Sequence, residues 1–130
     1  GAGVVKRSRW LALLAWVLVI ETLTSWPNPP SVSAVEGADK LVHLGLYASL
    51  GFLAMRAAWG GEGRRRWTLA LAVVAAVSLF GAVDEWHQRY IPGRSMDFAD
   101  WIADTTGALV GIIAWILVAG VLKARREKMT

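Results

Sequence analysis

Four long apolar runs, each separated from the next by a short polar stretch, constrain this chain more than any other feature. They run from Trp10 to about Ser25, Leu41 to Trp59, Trp67 to Val83 and Trp101 to Leu122. Each approaches the ~20 residues that a helix rising 1.5 Å per residue needs to cross a bilayer core. None shows the apolar–polar alternation of a membrane β-barrel strand. The expected fold class is therefore all-α: a polytopic four-transmembrane-helix bundle in one integral membrane domain over 1–130. The helices are expected over about 10–25, 41–59, 67–88 and 97–122. Composition agrees, with 55% apolar and only 18% charged residues. The first run is read as a retained helix. Val32-Ser33-Ala34 offers the small residues of a cleavage site, but lies well beyond Ile20, where the uninterrupted apolar run ends.

Charge gives the orientation. Of the fourteen Lys and Arg, all but Lys40, Arg89 and Arg94 fall on one side if the N-terminus is cytoplasmic. The positive-inside bias then predicts a multi-pass protein of the cell membrane with both termini cytoplasmic. Trp10, Trp59 and Trp67 fall at the predicted inner interface and Trp26, Trp86 and Trp101 at the outer one, where amphipathic rings sit best. The net charge of +4 comes in blocks between apolar runs, which does not suit a nucleic-acid surface. The absence of cysteine excludes disulfides, thiol nucleophiles and cysteine-ligated metals. No phosphate-binding loop, nucleophile elbow, HExxH or dinucleotide fingerprint is present, and no cofactor is expected.

The candidate chemistry collects outside. Glu36, Asp39, Asp84, Glu85, Asp97, Asp100 and Asp104 lie in or beside the two outer stretches, with His43 and His87. Pro27, Pro29 and Pro30 are expected to end the first helix, and Pro92-Gly93 to turn the chain between the third and fourth. At about 100° per residue, Asp39, His43 and Tyr47 share one edge of helix two. Asp84, Glu85 and Gln88 share a face of helix three with Gly81. On helix four, Asp97, Asp100 and Asp104 continue into Gly107 and Gly111, a small-residue stripe that favours close helix contact. The acids on that stripe are expected to point into the bundle. An ionisable residue inside a membrane is a functional-site candidate because burying it is costly.

Plainer roles compete with these. Asp97 and Asp100 can cap helix four. His43 can hydrogen-bond a carboxylate, His87 can sit at the interface, and Glu85 with Gln88 can pair locally. Asp104 is a turn too deep for capping. Arg94 is expected in an ion pair with the nearby acids. Glu21, alone in helix one, has no evident partner.

The blocks Asp39-Lys40-Leu41-Val42-His43, Asp84-Glu85-Trp86-His87-Gln88, Ile91-Pro92-Gly93-Arg94-Ser95 and Asp97-Phe98-Ala99-Asp100-Trp101-Ile102-Ala103-Asp104, followed by Gly107, resemble the VanZ-like membrane proteins. The resemblance covers nearly the whole chain. It implies a small helical membrane protein, from a family named for a protein associated with teicoplanin resistance, and it names no substrate. Three function classes follow from the residues. In the first, the cluster of Asp39, Lys40, His43, Tyr47, Asp84, Glu85, Gln88, Arg94, Asp97, Asp100 and Asp104 binds a lipid headgroup, cell-wall precursor or lipophilic glycopeptide. Lys40 and Arg94 then meet phosphate or carboxylate. In the second, a membrane-embedded hydrolase or transferase uses His43 as general base, oriented by Asp39 or Glu85, with Arg94 stabilising negative charge. A divalent metal on His43, Glu85 and Asp104 is a variant of that reading without a fixed motif. A small ion-coupled carrier using the same acids, with oligomerisation, is a third.

The orientation is testable directly. In intact cells, cysteines placed at Ser33 and Ser95 should react with an impermeant thiol reagent, whereas one at Gly61 should not. Labelling of Gly61→Cys alone would reverse the topology.

Overall fold

Apolar runs flanked by good helix formers give long helices. The computed structural model describes residues 1–27 and 38–130, and the regular structure there is α1 (Ala2–Thr24), α2 (Ala38–Ala58), α3 (Arg66–Gln88) and α4 (Phe98–Met129). No strand occurs among the described residues. The expectations resting on Pro29, Pro30, Ser33 and Glu36 lie outside them.

Two helices are longer than the apolar runs suggest. α1 begins at Ala2 rather than near Trp10, and α4 runs to Met129 rather than stopping near Leu122. Hydropathy marks only the apolar part of a helix. The Ala, Lys, Arg, Glu and Met that flank it have high helix propensity and continue the same ladder. α2, α3 and α4 are each long and apolar enough to cross a membrane. α1 is not among them, and its apolar run shares the helix with Lys6, Arg7, Arg9 and Glu21.

The packing is that of helices whose surroundings are themselves apolar. The core is narrow, centred on Ile20, Tyr47, Met55, Ile112 and Trp115. Leu11, Leu14 and Leu18 on α1, Leu71 and Leu79 on α3 and Leu117 on α4 all point outward. Such an apolar exterior on helices that satisfy their own backbone is what a bilayer solvates.

α2 and α4 make the closest pair. Gly107 lies against the backbone of Leu44 and Ala48, and Gly111 against Ala48 and Phe52. A Cβ at Gly111 would collide with the Ala48 carbonyl oxygen and lie 2.7 Å from the Phe52 nitrogen. The helices therefore meet backbone to backbone, as the small-residue stripe predicts. α3 joins α4 through the Trp101 indole, whose Nε1–H donates to the Ser78 carbonyl at 2.9 Å, and through Ser78 and Thr105, hydroxyl to hydroxyl at 2.8 Å. Trp101, expected at the interface, is thus held between two helices. α1 rests on α2, with Trp16 Nε1–H donating to the Leu46 carbonyl at 3.0 Å and Arg9 to the Arg56 carbonyl at 3.3 Å.

These contacts fix the directions. α2 and α4 run parallel to each other and antiparallel to α1 and α3. One end of the bundle collects the C-termini of α1 and α3 with the N-termini of α2 and α4. Seven of the nine acidic residues among those described lie there, all but Glu62 and Glu127.

Gly111→Ala should lower thermal stability in detergent by about 1–3 kcal/mol, the usual range for overpacking. Gly120→Ala has nothing within 4 Å of the new methyl and serves as the control, expected to keep stability or raise it slightly through helix propensity. Equal melting of both variants and the wild type would contradict the close contact.

Candidate functional site: the acidic end of the bundle

The close α2–α4 crossing determines which polar groups meet. Asp104 lies one turn before Gly107, so drawing Gly107 onto Leu44 and Ala48 brings its carboxylate to His43. His43 Nδ1 is 2.7 Å from Asp104 Oδ1, and Asp104 is fully buried. An ionised carboxylate only accepts, so Nδ1 carries the proton in that bond. Glu85 Oε1 lies 3.8 Å from the same nitrogen, and Asp100 Oδ2 lies 3.6 Å from Nε2. His43, Glu85 and Asp104 each offer an atom within 4.8 Å of the others, close enough to hold a metal ion. The orienting carboxylate is therefore Asp104. Asp39 cannot take that part, because its side chain is spent on Lys40, and Glu85 is too distant for a hydrogen bond.

Lys40 closes the upper layer. Its ammonium lies 2.8 Å from Asp39, 2.7 Å from Asp97 and 2.6 Å from Asp100. Asp97 has three tasks at once. It is the N-cap of α4, accepting from the Ala99 amide at 2.9 Å, it accepts from Lys40, and its own amide donates to Glu85 Oε2 at 3.2 Å. The hydrogen bond from Lys40, followed by that from the Ala99 amide, holds the Asp97 carboxyl below the usual carboxylate range. The capping expected of Asp97 and the ion pairing are one arrangement.

Exposure falls with depth. The side chains of Asp39 and Asp97 are 56% and 42% exposed, His43 and Asp100 only 12% and 11%, and Asp104 not at all. The cluster is thus graded from an exposed rim to a buried floor. Below the floor, Tyr47 is fully buried, and both its hydroxyl and Asp104 Oδ2 have no partner among the described residues. Gln88 donates to Glu85 Oε1 at 3.4 Å, the local pair its spacing suggests.

Two expected members are elsewhere. Arg94 does not pair with the acids. Its Nε–H donates to the Trp26 carbonyl at 2.9 Å and its Nη2 to the Leu23 carbonyl. The cause is the turn before it: the Arg94 amide donates to the Ile91 carbonyl at 3.1 Å, and Gly93 has φ +78°. Pro followed by Gly at positive φ is the signature of a type II turn. The turn aims the guanidinium at the open C-terminal carbonyls of α1, which favour a cation. Asp84 also leaves the His43 group. It faces α1, where Thr24 Oγ1 lies 3.0 Å from its Oδ1, beside Glu21 and His87. Single-helix geometry puts Asp84 and Glu85 on one broad face, but a third helix splits that face in two. Glu21 and His87 were the residues without an assigned partner. An acid inside an apolar run was the signal, and only the placement of α1 supplies its neighbours.

The VanZ/LLP1 family model matches residues 5–119. The chain belongs to the VanZ/LLP1 family. Neither a curated protein nor a solved structure matches it significantly. Family membership and the apolar helices together make this a membrane protein. In this VanZ-like chain the motif blocks around His43, Glu85, Arg94 and Asp100 meet at one end of the bundle.

Lys40 generates a pH prediction. A carboxyl held below its unfolded pKa stabilises the fold above that pKa and loses the contribution as pH falls through the folded value. Asp97 should therefore make wild-type stability fall as pH drops below about 4, the ordinary carboxylate range. Lys40→Gln removes the ammonium, so melting temperatures measured across that range should fall less steeply than in the wild type. An unchanged slope would show that Lys40 does not hold Asp97.

Proposed function

We propose that this protein spans the cell membrane four times as one domain over 1–130, with both termini cytoplasmic, and binds an envelope molecule at the outward-facing His43 cluster. Supporting the topology, Lys and Arg concentrate at the end opposite the acids, and Leu11, Leu14 and Leu18 present an apolar face on α1 for lipid.

Charge balance carries the choice of ligand. Asp39, Glu85, Asp97, Asp100 and Asp104 face only one ammonium and one imidazole, and Lys40 is already matched by three carboxylates. Arg94 is engaged with carbonyls. Among the described residues no cation is left over for a phosphate, so the cluster suits a group that brings positive charge or hydroxyl donors. An amine-bearing lipid headgroup, a cell-wall precursor or a lipophilic glycopeptide presents such groups, with an acyl chain that can lie along the apolar exterior. A resistance role against teicoplanin-like antibiotics belongs to this reading: the cluster would hold the drug or its lipid-linked target.

The His43–Asp104 bond favours a second reading. A buried carboxylate holding one imidazole nitrogen leaves the other free to take a proton from water or a hydroxyl, the arrangement of a general base. A hydrolase or transferase acting on an envelope lipid or precursor would use His43 in that role, with Asp104 as its positioning residue.

Native mass spectrometry of the detergent-solubilised protein separates these. The wild type should retain phosphatidylethanolamine over phosphatidylglycerol, and His43→Ala and Glu85→Gln should retain about tenfold less, a change of about 1.4 kcal/mol. Lipid consumed by the wild type and not by His43→Ala would establish the catalytic reading. Equal retention of both lipids by all three proteins would refute the binding site.

A further inference from the structure

The three acidic groupings at this end of the bundle are not equivalent. Asp39, Asp97 and Asp100 enclose the Lys40 ammonium, so that site carries its own cation. His43, Glu85 and Asp104 are tied by the 2.7 Å bond between imidazole and carboxylate. The third grouping lies across α3, where Glu21 of α1 meets Asp84 and His87 of α3, each offering a ligand atom within 4.8 Å of the others. Among the described residues, no Lys or Arg lies within 4.0 Å of Glu21 or Asp84. The nearest candidate from sequence, Arg94, is engaged with the Leu23 and Trp26 carbonyls.

Asp84 supplies an observation independent of that clustering. It is 3% exposed, and its Oδ2 is buried without any partner among the described residues. Among the described residues its Oδ1 has only the Thr24 hydroxyl at 3.0 Å, which shares its single proton with the Ile20 carbonyl at 2.8 Å. A buried carboxylate this poorly solvated, with a second carboxylate and an imidazole beside it, is costly unless a shared proton or a cation joins them.

We infer that Glu21, Asp84 and His87 bind a divalent transition-metal ion between α1 and α3. Two carboxylates cancel a charge of +2, and the imidazole selects the transition series over Mg²⁺ or Ca²⁺. Asp84 and His87 are three residues apart on one helix, so both reach the same side of α3. Three protein ligands leave coordination positions open, and His87, the exposed member of the three, places them at the bilayer surface. Water or an oxygen of a lipid headgroup can fill them. The ion also reinforces the junction of α1 and α3, which among the described hydrogen bonds is made by Thr24 and Asp84. The site is separate from the His43 cluster and stands or falls independently of the ligand proposed there.

The test is Mn²⁺ binding, followed by the electron paramagnetic resonance of free Mn²⁺, to the full chain purified in detergent and stripped with a chelator. The wild type should take up one ion per chain, and its melting temperature should rise on addition. His87→Ala, an exposed position whose loss leaves the core intact, and Glu21→Gln should each bind at least about tenfold more weakly, as loss of one ligand requires. Neither should gain thermal stability from Mn²⁺. Glu85→Gln should bind like the wild type. No uptake by the wild type at millimolar Mn²⁺ would overturn the inference. So would binding that survives both His87→Ala and Glu21→Gln, or that is lost only in Glu85→Gln, which would place the ion at His43.

Discussion

The contact on which the acidic end depends is the backbone-to-backbone approach of α2 and α4 at Gly107 and Gly111. In lipid there is little hydrophobic gain from pressing two helices together, and close packing of small residues takes its place. Here the approach also determines the chemistry. His43 is one turn into α2 and Asp104 two turns into α4. Only with the two backbones touching at Ala48 do their side chains meet at 2.7 Å. A wider crossing would leave Asp104 as a lone buried carboxylate at a depth where no water replaces the lost partner. The glycine stripe and the polar pair are thus one device.

The same economy governs the other charges. N-termini of helices favour acids and C-termini favour cations. Because α2 and α4 start at this end, Asp39, Asp97 and Asp100 are placed well before any ion pair is counted. Because α1 ends there, Arg94 finds open carbonyls. Lys40 is surrounded by three carboxylates and reaches over the His43 layer, so the rim is neutralised from within. α3 divides what remains. Glu85 turns toward His43 and the Asp97 amide, and Asp84 turns toward Thr24 and Glu21.

Periodicity and spacing reach as far as single helices and their closest contacts. The stripe through Asp100, Asp104, Gly107 and Gly111 is legible because one helix face must be buried as a unit, and all four are buried. The approach of His43 to an acid of that stripe follows once the stripe is known to pack. Which acid is not legible, since it depends on helix register to within one turn. Arg94 illustrates the limit. Its charge beside many acids suggests an ion pair, but the local turn through Gly93 sets its direction first. Asp84 and Glu85 are adjacent in sequence and part company only because α1 occupies one flank of α3. The helix ends beyond the apolar runs, from Ala2 and to Met129, were hidden because helix propensity continues where hydropathy stops.

The central claim is that His43 and Asp104 act as one buried unit, and a double-mutant cycle measures it most directly. Unfolding free energies of the wild type, His43→Ala, Asp104→Ala and the double variant should be compared in one detergent. Residues in contact within one network couple by about 0.5–3 kcal/mol, and a largely buried charge-assisted pair belongs in the upper half of that range. The double variant should therefore be clearly less destabilised than the two single losses combined. Additivity to within about 0.3–0.5 kcal/mol, the behaviour of independent sites, would contradict the account.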